Sequence, residues 1–172
     1  MKQILINASQ REELRLAIVE DNKLAELDID LPSKNIKSNI YKGTISRVEP
    51  SLEAAFVNFG RSRHGFLPFK EISPDIFTPG KQKTSRDCIE PGKEIVIQID
   101  KEERGTKGAA LTTFLSLAGK YLVLLPKNPN TGGVSRRLEG NDRLTAKKLL
   151  SEMKIPDGMS VILRTSGLDT NK

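Results

Sequence analysis

Short apolar runs separated by turn-forming residues recur along this chain, and their period-2 alternation predicts strands more often than helices. KQILIN (2–7), ELRLAIVE (Glu13–Glu20) and LAELDI (Leu24–Ile29) predict three strands, with Asn22-Lys23 turning between the second and third. A meander of about thirty residues cannot build a core alone and must pack on something else, in this chain or outside it. Leu31-Pro32-Ser33-Lys34 breaks the pattern. Beyond the break, a strand spans Ile40–Val48 and turns at Glu49-Pro50-Ser51, and Ala54–Phe69 (AAFVNFGRSRHGFLPF) reads as two strands joined at Gly60-Arg61-Ser62-Arg63. KEISPDIF suggests a short helical turn, and PGKQKTSRDCIEPGK a surface loop rich in Pro, Gly, Lys and Ser. EIVIQID (94–100) is a strand, KEERGTKG a charged hairpin loop and AALTTFLSL (109–117) the return strand. Five short strands with a long basic loop before the last pair match the plan of five-stranded barrels that bind oligonucleotides.

A third segment follows. Gly119–Leu125 (GKYLVLL) predicts a strand, KNPNTGG a turn, and Val134–Leu138 carries the pair Arg136-Arg137. Asn141 can cap a helix whose apolar face is Ala146, Leu149, Leu150 and Met153, and Ile155-Pro156-Asp157-Gly158 stops it. Ser160–Thr165 (SVILRT) is a last strand before a polar end. The expected fold class is mainly β with minor α, in segments 1–34, 35–117 and 118–172.

The hairpin at Ala54–Phe69 carries the first chemical clue. A three-residue loop at Arg61–Arg63 would pair Gly60 with His64 and Asn58 with Phe66. Ala55, Val57, Phe59, Leu67 and Phe69 then share an apolar core face, while Phe56, Asn58 and Phe66 point the other way. Two phenylalanines beside an asparagine and near arginines suit a platform for stacking bases. A two-residue loop would instead put Phe66 opposite Val57, inside.

Charge adds to this picture. Lys+Arg is 28 against Asp+Glu 22 in 172 residues, a net +6 that favours polyanionic partners. Cys88 is the single cysteine and His64 the single histidine, which excludes an internal disulfide, a multi-thiolate zinc site and a His/Cys metal cluster. MKQILINASQREEL turns polar too soon for a signal peptide and no apolar run approaches a membrane span, so the expected location is cytosolic.

Lys107, between Gly105 and Gly108, is either a phosphate contact or a solvated loop lysine; GTKG lacks the spacing of a P-loop. Arg164-Thr165 could bind a terminal phosphate or simply end a strand, and Arg136-Arg137 could be a phosphate contact or a solubilising edge. Glu102-Glu103, Asp28-Asp30 and Glu12-Glu13 offer no metal pair suited to Mg²⁺-assisted hydrolysis. His64 has no nucleophile in view, and Cys88 lies beside Asp87 and Glu90. No catalytic constellation is present.

MKQILINASQREELRLAIVED, NIYKGTISRVEPSLEAAFVNFGRSRHGFLP, QIDKEERGTKGAALTTFLSLAGKYLVLLP, GGVSRRLEG and ILRTSG resemble, in order, the N-terminal part of the bacterial ribonuclease E/G family, its E branch more than its G branch. The resemblance covers nearly the whole chain and is weakest over 70–93. It implies a partial RNase H-like subdomain (1–34), an S1 domain of the OB class (35–117) and the start of a 5′-sensor (118–172). It further implies an endoribonuclease of mRNA decay and of rRNA and tRNA processing, acting on A/U-rich single-stranded RNA with a 5′-monophosphate. Phe56, Phe66 and Lys107 match the residues that hold RNA; Gly119, Val123, Arg164 and Thr165 match the pocket that reads the 5′-monophosphate. Family members use Mg²⁺ held by aspartates, and a Zn²⁺ link joins protomers into a homotetramer. Both sets of ligands fall beyond Lys172, so this chain is expected to be part of a longer protein, inactive alone and binding neither metal. Degradosome-type partners, and a place at the inner face of the cell membrane, would also belong to the longer protein. The alternative is a stand-alone, non-catalytic S1-type RNA-binding module.

Overall fold

The computed structural model describes residues 1–31, 36–76, 89–126, 128, 129 and 131–168, with only the backbone of Asp75. Most of the loop expected at 79–93, Cys88 included, and the break at Pro32-Ser33-Lys34 lie outside the described residues, as does the end of the polar tail. The chain divides into two compact units, Met1–Lys37 and Ser38–Lys172.

The first unit is an antiparallel meander of β1 (Lys2–Asn7), β2 (Leu14–Glu20) and β3 (Lys23–Asp30). Its second turn is Asp21-Asn22, one residue earlier than expected, with Glu20 paired to Lys23. Both turn residues have positive φ, 47° and 63°. A two-residue hairpin loop of this kind needs left-handed backbone at both central positions, which Asp and Asn tolerate better than Lys. Ile4 and Leu24 are each 61% exposed, as befits a sheet too small to bury its own apolar residues.

The second unit opens with a closed barrel. Its strands are β4 (Ile40–Glu49), β5 (Ala54–Asn58), β6 (Gly65–Pro68), β7 (Glu94–Lys101) and β8 (Ala110–Thr112), in spatial order β4-β5-β6-β8-β7. Alternation aims Ile45, Val57, Leu67, Ile97, Ile99 and Leu111 inward, each almost fully buried, contributing roughly 1.5–3 kcal/mol apiece. Gln98, between Ile97 and Ile99 and so on the other face of β7, is also buried, at 3% exposed. Its Nε2 donates to the carbonyls of Ser38 and Ser116 and its Oε1 accepts from Ser116 N, all at 2.8 Å. Short 3₁₀ turns at Phe69–Glu71 and Pro74–Ile76 account for the helical turn expected after the hairpin.

The hairpin register departs from the expected one. Ala55 pairs with Leu67, Phe56 with Phe66 and Val57 with Gly65, so the connection runs from Phe59 to His64 and not from Arg61 to Arg63. Relative to the expected pairing of Asn58 with Phe66, the slip is two residues, and an even slip leaves every side chain on its original face. Ala55, Val57, Phe59, Leu67 and Phe69 are accordingly buried, and Phe56 and Phe66 face outward, half-buried.

The return strand is shorter than predicted. After β8, Thr113 turns away to bond Glu71, N–H and Oγ each donating to its carbonyl at 2.9 and 3.0 Å. Leu117 belongs to a second sheet. There β9 (Leu117–Ala118) and β10 (Leu122–Leu125) form a hairpin, so Gly119-Lys120-Tyr121 is a turn and not the start of a strand. β12 (Ser160–Leu163) pairs antiparallel with β10 and parallel with β11 (Gly133–Val134). Helix α1 (Gly140–Glu152) covers this sheet through Ala146, which packs in a cluster with Leu138, Leu163, Leu122, Val134, Leu149 and Leu168. Asn141 does not cap it. Glu139, extended at φ −128°, holds the cap position without a side-chain bond, and the left-handed Gly140 (φ 53°) leads the chain in, placing Asn141 inside the first turn.

Candidate nucleic-acid interface

β5 and β6 are the second and third strands of the barrel, and their outer face carries the aromatic pair. Phe56 and Phe66 are direct cross-strand partners, with ring centroids 5.9 Å apart at 70°. The inner sides of the same strands are anchored by Ala55, Val57 and Leu67, which fixes the rings toward solvent. Asn58 is exposed on this face, yet its Oδ1 accepts from Gly60 N at 3.0 Å and so serves the loop.

β4 contributes through an irregularity. Ile45 pairs with Val57 and Arg47 with Phe56, leaving Ser46 as the extra residue of a bulge. Ser46 Oγ lies 3.0 Å from the Phe56 carbonyl and 2.9 Å from His64 Nδ1. The Arg47 guanidinium carbon sits 4.7 Å from the centre of the Phe56 ring. Neither Arg47 nor His64 was picked out as a contact from sequence. Period-2 alternation gives no sign of a bulge, and only the adjacency of Ser-Arg to the end of a strand could have hinted at one.

Lys107 stands in the loop between the fourth and fifth strands. Arg104 and Lys107 exchange backbone hydrogen bonds of 3.1 and 3.0 Å around Gly105, whose φ of 57° suits glycine. The loop is tied to the hairpin at three points. Phe66 N donates to the Ala109 carbonyl at 2.8 Å, the Arg63 guanidinium donates to the Gly105 carbonyl, and Gly108 lies flat against the His64 carbonyl with no space for a Cβ. The loop of Lys107 is thereby fastened to the strand that carries Phe66, and Lys107, Arg61, Arg63 and Arg104 are all exposed. In barrels of this topology the face of strands two and three and the loop between strands four and five are where oligonucleotides bind.

Gly119, Val123, Arg164 and Thr165 come together at one end of the second sheet. Arg164 N donates to the Tyr121 carbonyl at 2.8 Å, and its Nη1 donates to the Gly119 carbonyl at 2.5 Å. Ser166 Oγ reaches the Lys120 carbonyl at 2.6 Å, and Val123 pairs with Ile162 and Ala118. The parallel register of Val134 with Leu163 sends Arg136-Arg137 out beyond the same sheet end as Arg164-Thr165. All three arginines are exposed. Among the described residues, no group of three or more His, Cys, Asp or Glu side chains is placed to hold a metal ion.

A closed barrel of this strand order, with paired aromatics on its outer second and third strands and a lysine loop beside them, is an S1-type RNA-binding barrel. The S1 RNA binding domain model matches residues 34–114, and the Ribonuclease E/G family model matches 116–172. Ribonuclease E of Escherichia coli K12 is 55% identical over 98% of this chain, and that of Haemophilus influenzae likewise 55% over 98%. Ribonuclease G of Escherichia coli K12 is 36% identical over 95%. The chain belongs to the ribonuclease E/G family. It spans 16% and 18% of the two ribonuclease E relatives and 35% of the ribonuclease G.

Proposed function

We propose that this chain is the RNA-capturing part of a single-strand-specific endoribonuclease. One observation carries the reading: Phe56 and Phe66 are directly opposed on the outer barrel face, with the loop of Lys107 hydrogen-bonded to the same strand. Bases stack on the rings while Lys107 neutralises the adjoining phosphate. Arg164, Thr165, Gly119 and Val123, joined by Arg136-Arg137, read a 5′-monophosphate on the bound strand. Hydrolysis, Mg²⁺, the Zn²⁺-linked tetramer and degradosome-type contacts belong in this reading to the longer family protein, at work in the cytoplasm and at the inner face of its membrane.

The test is direct binding of a fluorescent 5′-hydroxyl A/U-rich decamer to the 172-residue chain, read by anisotropy. Phe66→Ala should cost about 1–3 kcal/mol of affinity through lost stacking, with an unchanged circular dichroism spectrum. Unchanged affinity in a folded variant refutes the platform. Incubating the same RNA with the purified chain and Mg²⁺ should leave it intact; cleavage would overturn the placing of the active site elsewhere.

A further inference from the structure

Arg47 is the least expected neighbour of the platform. The bulge in β4 sets two residues, Ser46 and Arg47, opposite Phe56. Ser46 Oγ is turned to the Phe56 carbonyl and to His64, and the Arg47 guanidinium is laid over the Phe56 ring with its carbon 4.7 Å from the centroid. Arg47 is exposed, and no ion pair of Arg47 is present among the described residues. A guanidinium resting on an aromatic face keeps its in-plane N–H groups pointing outward, available to an anion. The side chain is therefore held in place by the ring while its charge stays unspent. On the opposite flank of the aromatic pair stands the loop of Lys107, tied to β6 through Phe66 N and the Ala109 carbonyl. Arg47 on β4 and the loop of Lys107 beside β6 thus flank the two aromatic strands from opposite sides, the arrangement a backbone needs when it passes a stacked base with a phosphate on either side.

We propose that Arg47 is a further RNA-contacting residue: its guanidinium, preset on Phe56, neutralises the phosphate next to the base stacked on the platform, across from Lys107. The inference rests on the platform reading above. The β4 bulge is then what makes the site two-sided, because an unbulged strand would not set both Ser46 and Arg47 against one residue of β5.

The experiment measures affinity of the 172-residue chain for the same 5′-hydroxyl decamer over a series of salt concentrations, for the parent, Arg47→Gln, Arg47→Lys and Phe66→Ala. Arg47→Gln should weaken binding roughly twofold to fivefold at low salt. It should also lower the log–log salt slope by about 0.7, one phosphate contact on single-stranded nucleic acid. Arg47→Lys should keep the slope. A parental slope in Arg47→Gln, or a reduced slope in Arg47→Lys, overturns the proposal; so does tighter binding by Arg47→Gln, which would make the arginine a cover over Phe56. Phe66→Ala separates the two readings: if it binds as the parent does, the platform itself falls. If it is impaired while both Arg47 variants match the parent, the platform stands and only Arg47 is lost.

Discussion

Gln98→Leu removes a buried amide that holds two chain segments against β7, while keeping similar volume. The amide makes three hydrogen bonds of 2.8 Å, to the Ser38 carbonyl and to both the carbonyl and N–H of Ser116, from a side chain only 3% exposed. Each neutral bond contributes about 0.5–1.5 kcal/mol net, so the sum is about 1.5–4.5 kcal/mol. Ser38 is exposed and Ser116 half-buried, so the orphaned backbone groups regain some water and the expected loss falls near 2 kcal/mol. Urea unfolding followed by far-UV circular dichroism measures it, and an unchanged slope shows that the denatured state is not at issue. Ser116→Ala is the control. Its hydroxyl lies 3.4 Å from Gln98 Oε1, too long to matter, and the backbone bonds survive, so it should cost under about 0.5 kcal/mol. A loss below about 0.5 kcal/mol in Gln98→Leu would refute the view that this amide fastens the start and finish of the barrel.

Gly108→Ala should drive a Cβ into the His64 carbonyl and push the Lys107 loop off the hairpin, costing about 1–3 kcal/mol in urea melts and weakening RNA binding with it. Leu111→Ala, at 1% exposed, should cost about 2–5 kcal/mol through the cavity it leaves, and a smaller loss would mean the barrel collapses around the gap. Arg164→Ala frees the Gly119 carbonyl and should reduce any preference for 5′-monophosphate over 5′-hydroxyl RNA, compared by competition in the longer family protein. An unaltered preference there would remove Arg164 from the sensor.

The apolar alternation in AAFVNFG and GFLPF sorted each arm into two faces. Placing Phe66 with Phe56 required an odd loop length, and the three-residue loop gave the right faces because these depend only on the parity of pairing. The register itself was not legible. A loop of arginines, serine and glycine is compatible with several lengths, and what decides it is tertiary: Phe66 N is committed to Ala109, and Gly65 is pressed against Leu111. The same holds for the second sheet, where GKYLVLL reads as one strand until Arg164 supplies bonds to the Gly119 and Tyr121 carbonyls that favour a turn. Lys107 and Arg164 could be named from motif. Yet the carbonyls that Arg164 bonds, those of Gly119 and Tyr121, come from distant sequence, as does the Phe66 N–H that ties the loop of Lys107 through Ala109, and no local pattern records them. Arg47 was invisible because a bulge is a relation between two strands and not a property of one.

The join between β6 and β8 has a kinetic side. That ladder contains one residue pair, Phe66 with Ala110, supported by the bond from Phe66 N to the Ala109 carbonyl. A closed cylinder unzips most cheaply where its lacing is shortest, so the Phe66 amide should exchange its hydrogen through local opening well before the β4–β7 ladder does. RNA held between the Phe66 ring and Lys107 would lie across that gap. Each bound strand then acts as a clasp, slowing exchange at Phe66 by a factor of one plus the ratio of free ligand to its dissociation constant, and the barrel becomes most tightly shut when it is occupied.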